Sequence, residues 1–383
     1  MSQQPLPQVP GELKFSYGGQ AVIEGVLMRG AHTAAVAVRD PNGQIIVTER
    51  QLNATMYRGW VARTPFVRGV VGLWDSLGLG TWALLWAANV AMGDEKDVKM
   101  DWALTATVAF SLILGIGLFF VLPTTAATGI GAALGLQPQA AEVIQDGPTV
   151  TTDGTNGIAT PMPSTSQETV TSPTQTTINA LNTGMAIGWE STLINVIENV
   201  IQLVLLIGYM LLIGQMNDVK RLFGYHGAEH KTINAYEAGA ELTPEIVAGY
   251  PIEHPRCGTA FLLTVVIVGI FVFSLLGRPP LPLLILSRIV LIPVIAGIAY
   301  EMLKWTARNI HRPWVRLIVT PNLMLQHLTT RQPDLHMIEV AITSFKLVLL
   351  SEGLISAEDA AIPAANPAAA YNIGGETEKA KVA

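Results

Sequence analysis

The sequence predicts an α-helical polytopic membrane protein with about four transmembrane helices and a small α+β cytoplasmic domain. Three observations carry that prediction. Half of the 383 residues are hydrophobic and only 14% are charged, against roughly 25% charged in an average soluble domain. Four apolar stretches approach the length of about 20 residues that a helix needs to cross a hydrocarbon core of about 30 Å. Lys and Arg are also spread unevenly along the chain, which is what sets membrane topology. The net charge of −6 argues against nucleic acid as a partner, because such binders gather a basic stripe at high pI. The expected partners are the lipid bilayer and other membrane proteins.

The elements follow in chain order. The opening MSQQPLPQVPGELKFSYGG has no apolar core of signal-peptide length, so the start is expected to stay in the mature chain. Residues 1–102 are predicted to form a cytoplasmic N-terminal segment. Within it, TAAVAVRDPNGQIIVTER (33–50) places two β-prone runs around Pro-Asn-Gly, a hairpin signal because Asn and Gly accept positive φ. The stretch 70–92, with Asp75 as its only charge, is long enough to span. Trp74, Trp82 and Trp86 recur in it at helical spacing, and Trp favours the headgroup level, so an interfacial or re-entrant helix is expected. A fifth span is the alternative.

The four spans are predicted at 103–123, 193–214, 259–277 and 283–303. GRPPLP joins the last two as a hairpin, since its prolines stop one helix before the next begins. Residues 1–102, 215–258 and 304–383 then share one side and hold 21 of the 23 basic residues, which makes that side, with both termini, cytoplasmic. The cytoplasmic membrane is the expected location. The loop 124–192 has no Lys or Arg and is rich in Thr, Ser, Pro and Gly, the composition of a disordered outer linker. In the cytoplasmic segment 304–356, DLHMIEVAITSFKLVLLSE has apolar residues at helical spacing and should pack on the cytoplasmic body or lie on the membrane. The Ala/Pro-rich tail, 357–383, is expected to be disordered.

The candidate chemistry lies in YHGAEHKTINAYE, 225–237. On a helix, His226, Glu229 and His230 share one face, with Gly224 and Gly239 as expected helix ends. H-x-x-E-H is the spacing of inverted zinc peptidases, where both imidazoles bind the ion and the Glu acts as base. EHPRC, 253–257, adds His254 and Cys257, completing a set of N and S donors suited to a divalent metal, zinc above all. The alternative has the histidines bonding backbone carbonyls and Cys257 as a small buried apolar residue. Four protein ligands would make the ion structural; three would leave a place for water, with Glu229 as catalytic base. Glu237 lies about 10 Å further along the axis and is expected to support the ligands. Glu301, at the inner end of the fourth span, is a reserve ligand or base.

Charges in or near the spans mark further candidates. Glu198 and Arg288 lie at equal depth from the outer side and are expected to pair, either as interhelical bonds or on a substrate or proton path. In YGGQAVIEGVLMRG, 17–30, glycines surround Gln20, Glu24 and Arg29 without matching any phosphate-binding spacing. A Glu24–Arg29 ion pair under a Gly-rich turn, or a substrate-facing acid or anion clamp, fits these residues, and Arg68 in PFVRG carries the same ambiguity.

GGQAVIEGVLMRG, PFVRG, YHGAEHKTINAYE, HPRCGTAFLL, AGIAYE and LTTRQPDLHMIEVAI together closely resemble the bacterial YqhQ-like family of polytopic membrane proteins. This is a domain of unknown function often labelled "predicted metal-dependent enzyme". The resemblance covers roughly 15–123 and 190–350. It implies a metal and catalysis, and it assigns no substrate; nothing beyond the five-residue spacing resembles the zinc peptidases. The second reading is a non-catalytic membrane factor, such as a helper in membrane-protein insertion or assembly, whose His/Cys cluster is structural.

Overall fold

The computed structural model describes residues 17–57, 59–93, 102–136, 189–276, 278–279 and 281–360. Four strands, β1 Gly18–Val22, β2 Gly25–Arg29, β3 Thr33–Arg39 and β4 Ile45–Gln51, form one antiparallel sheet in sequence order. The expected hairpin is β3–β4, with Arg39 opposite Ile45. Its turn is held by the Asp40 carboxylate, which accepts from the Asn42 and Gln44 amides, while Gly43 takes a φ of 84°. The Gly-rich segment before it is a second hairpin, β1–β2, turning at Ile23–Glu24 with Glu24 at φ 52°.

Strand alternation sends side chains to opposite faces, and here both faces are covered. Val26, Met28, Ala35 and Ala37 pack on one side against helices α5 (Asn217–Glu237) and α10 (Leu335–Ser351). Leu27, Ala34, Val36 and Val38 pack on the other against α1 (Val67–Ala91). The result is three layers with the sheet in the middle. Helix α10 thus packs its apolar stripe on the body, as its periodicity predicts.

The remaining α-helices of five residues or more are α2 (Trp102–Ile116), α3 (Leu122–Ala133), α4 (Trp189–Ile213), the short α6 (Pro244–Ala248), α7 (Gly258–Ser274), α8 (Leu281–Arg308) and α9 (Pro313–Gln326). A π-helical turn at Gly117–Val121 joins α2 to α3. Four helices are long and apolar enough to cross a membrane: α1, the α2–α3 rod, α4 and α8. The number agrees with the sequence, but the membership differs. Helix α7, read from sequence as a span over 259–277, has 17 residues, whereas residues 70–91 of the 70–92 stretch belong to a helix of 25, α1.

Helix α1 uses one stripe to cover the sheet: Leu79, Ala83, Trp86, Ala87 and Val90 are buried there. Trp86 and, in part, Trp82 therefore serve packing, and only Trp74 among the three faces outward. The rod α2–α3 corrects a second expectation, since residues 124–133, read as the start of a disordered loop, are helical. The rest of that loop from 137 to 188, the tail from 361 and residues 1–16 lie outside the described residues.

Candidate metal centre

Helix α5 is polar in sequence yet largely buried, and its side chains explain why. Lys231 donates to the carbonyls of Ala248 and Tyr250, at 2.8 and 2.5 Å. Asn234 donates to those of Pro251 and Glu253, at 2.9 and 3.0 Å, and Glu237 forms an ion pair with Arg256. Together they bind the irregular backbone of 248–256, whose carbonyls would otherwise be buried without donors. From the other side, Gln326 exchanges two hydrogen bonds with the His254 backbone: its Nε2 donates to the carbonyl at 2.8 Å and its Oε1 accepts from the amide at 2.9 Å. The loop that carries His254 and Cys257 is therefore clamped between α5 and α9. Glu237 thus holds this loop through Arg256.

At the centre, ligand atoms of His226, His230 and Cys257 all lie within 4.8 Å of one another. His226 Nδ1 donates to the Thr329 carbonyl at 2.8 Å, and His230 Nδ1 to the Ile252 carbonyl at 2.5 Å. A carbonyl only accepts, so each Nδ1 carries the proton and each Nε2 is left with a lone pair. His226 Nε2 stands 3.2 Å from Cys257 Sγ. Cys257 is the N-cap of α7, its sulfur accepting from the Thr259 amide, at a helix end that favours negative charge.

The His254 ring lies 5.5 Å from that of His230, and its Nε2 is buried without a hydrogen-bond partner. Burial first, then Arg256 and the two neighbouring histidines, hold His254 well below its ordinary pKa. It is neutral, the form that binds metals. The donor set fits a divalent ion. Two imidazole nitrogens oriented by backbone carbonyls and a thiol are what zinc accepts. A tetrahedral ion at about 2.0–2.3 Å from each ligand needs them about 3.5 Å apart, a side-chain-scale contraction.

The other predicted residues fall in separate places. Glu229 points from α5 to β1, where its carboxylate accepts from the Gly19 amide; burial raises its pKa to about 7, with His226 as the largest opposing influence. Glu301 does not join the histidines, because Arg68 takes its carboxylate in a two-bond pair and the Phe66 amide donates to it at 3.2 Å. The Glu24–Arg29 pair is replaced by another: Glu24 pairs with Arg221 at 2.5–2.6 Å and accepts from Tyr225. The positive-φ turn at Glu24 aims the carboxylate toward α5 and away from its own strand. Arg29 instead donates to Ser76 of α1 at 2.9 Å, and Gln20 lies against Gly80 of the same helix.

Far from the histidines, Glu198 and Arg288 do meet, at 2.8 Å, and Arg278 binds the same carboxylate at 2.8 Å. Arg278 lies in the Gly-Arg-Pro-Pro connection, where sequence shows only a turn. Gln326, Thr329 and the clamp residues Lys231 and Asn234 were equally invisible, because nothing local distinguishes a Gln that grips a distant backbone from one in water.

The profile of a family described as "Protein of unknown function (DUF1385)" matches residues 64–149 and 169–351. The chain belongs to this family. It is 31% identical over 340 residues, 88% of this chain and 94% of the relative, to "Uncharacterized protein YqhQ" of Bacillus subtilis (strain 168). No solved structure matches. Family membership gives the His/His/Cys group no chemistry of its own, so its function has to come from the geometry.

Proposed function

We propose that the protein is a multi-pass protein of the cytoplasmic membrane whose sheet domain, at the inner face, binds one divalent metal ion through His226, His230 and Cys257. Zinc suits the N/N/S donor set best. One observation carries this reading: both Nδ1 atoms are committed to backbone carbonyls, which leaves both Nε2 lone pairs free, and the ligand atoms of the two imidazoles and the thiol lie within 4.8 Å of one another. With three protein ligands, zinc would supply an activated water with a pKa near 7, the chemistry of a hydrolase of undetermined substrate. In that reading His226, His230 and Cys257 hold the ion, and Glu229 would act as base by turning from the Gly19 amide to the bound water. Glu301 is withdrawn from any such role by Arg68.

A second reading rests on the buried, unpartnered Nε2 of His254. As a fourth ligand it would close the site, and the protein would be a non-catalytic membrane factor, such as an insertion or assembly helper, that engages lipids and other membrane proteins. Metal quantitation on protein purified without chelators separates the two. Both expect about one zinc per wild-type chain and little in His226→Ala or Cys257→Ser. The hydrolase reading expects His254→Ala to keep the metal, and Glu229→Gln to keep metal and fold but fail to complement a deletion strain. The structural reading expects His254→Ala to lose the metal and Glu229→Gln to complement. Wild-type protein without metal would overturn both.

A further inference from the structure

Sheet and helix α1 part along the β1 edge and leave a groove there. Its outer section, about 260 Å³, is lined by Leu73, Leu77, Leu84, Gly80 and Thr81, together with Gln20 and Ser76. Gln20 and Ser76 also wall a smaller inner cavity, about 60 Å³, completed by Gly19, Leu27, Arg29 and Leu79. A water needs about 10–15 Å³ by this measure, so the inner cavity takes a few waters or one phosphate-sized group.

The two sections differ in character. Arg29 reaches the inner one, where it donates to Ser76 at 2.9 Å and lies over the Tyr57 ring, 5.8 Å from its centre, and it forms no ion pair among the described residues. The exposed Gln20 amide has no protein partner among the described residues. A guanidinium and an amide thus face one small cavity with donors to spare. The outer section is leucine-rich, and its mouth opens on the uncovered face of α1, where Trp74, Leu77 and Leu84 are 77%, 57% and 40% exposed. An apolar channel ending at a guanidinium with no carboxylate in ion-pair contact matches an amphiphile with an anionic head.

We propose that this groove binds an anionic glycerophospholipid from the inner leaflet, its phosphate at Arg29 and Gln20 and one acyl chain along Leu73, Leu77 and Leu84. The lipid site rests on the membrane reading, which cell fractionation tests separately, and is independent of the metal centre. Its polar end reaches Gly19, whose amide donates to the Glu229 carboxylate.

The test is native mass spectrometry of the full chain released from vesicles of phosphatidylglycerol and phosphatidylcholine. Wild type should retain phosphatidylglycerol in preference. Losing a charge-assisted hydrogen bond should cost about tenfold in that preference, so Arg29→Gln should bind the two lipids nearly alike. Leu77→Trp, which fills the channel, should retain neither, while Arg312→Gln, remote from the groove, should behave as wild type. If Arg29→Gln fails to fold, Gln20→Leu at an exposed position takes its place, with the same reduced preference expected. An unchanged preference in Arg29→Gln or Gln20→Leu, or undiminished binding in Leu77→Trp, overturns the proposal. So does inorganic phosphate raising the melting temperature of wild type, but not of Arg29→Gln, without any lipid preference.

Discussion

Two guanidinium groups share one carboxylate between the helices. Glu198 accepts from Arg278 and Arg288, Asn195 bridges both through its Oδ1, and Thr124 donates to Glu198 at 2.9 Å. Arg288 also stacks on Phe273, 3.9 Å from the ring centre. Because these groups are buried, the cost of separating them exceeds that of any surface pair: removing one partner of a buried pair costs about 3–5 kcal/mol. Glu198→Gln leaves two cations facing a neutral amide, and thermal unfolding in detergent should show a loss of that size. A loss below about 1 kcal/mol would mean that water reaches the cluster. At this scale the pairing of Glu198 with Arg288 was legible from equal depth, whereas Arg278 was not, since a residue beside two prolines gives no sign of turning inward.

At the scale of the element, helix α5 depends on glycine where the sequence suggested helix ends. Gly239, at φ 74°, does follow the C-terminus, but Gly224 lies inside the helix. Its role is contact, as is that of Gly227: a Cβ on Gly227 would stand 2.1 Å from the Arg331 carbonyl oxygen, and one on Gly224 2.7 Å from Met337 Sδ. Close approach at Gly227 lets the Arg331 amide donate to the Phe223 carbonyl and brings the Thr329 carbonyl to His226. Gly227→Ala must displace backbone, so it should destabilise by about 1–3 kcal/mol, as overpacking does, and weaken metal retention. Gly224→Ala meets only a flexible thioether and gains helix propensity of about 1 kcal/mol, so its net effect should be small. Chemical denaturation with metal quantitation checks both, and equal losses would refute the contact argument. An isolated glycine within a helical pattern signals a packing reason, yet only the fold names the neighbour.

Across the whole molecule, the polar groups sort to two ends. The sheet domain gathers 18–51, 217–257 and 335–351, the segments that the Lys/Arg distribution assigns to one side. The Glu198–Arg278–Arg288 cluster joins α3, α4 and α8 at the opposite end of the helices. With α1 laid on the sheet and α7 crossing beside α8, as the sequence predicts, we propose that both termini and the sheet domain face the cytoplasm. Reporter fusions should therefore show position 155 outside, and positions 240 and 383 inside. A reporter at 240 active on the outer face would place the histidines in the wrong compartment and reverse the orientation.

By itself the sequence determined the apolar helices, the β3–β4 hairpin, the apolar stripe of α10 and the i, i+4 pair of His226 and His230 on one helix face. Each is a local property, set by periodicity, turn chemistry or spacing within a few residues. Tertiary structure alone decided that α1 covers the sheet, that Glu24 binds Arg221, that Arg68 claims Glu301 and that carbonyls from two loops fix the imidazole tautomers. Those outcomes depend on which neighbour offers a buried polar group its hydrogen bond, and such a neighbour can lie hundreds of residues away in the chain.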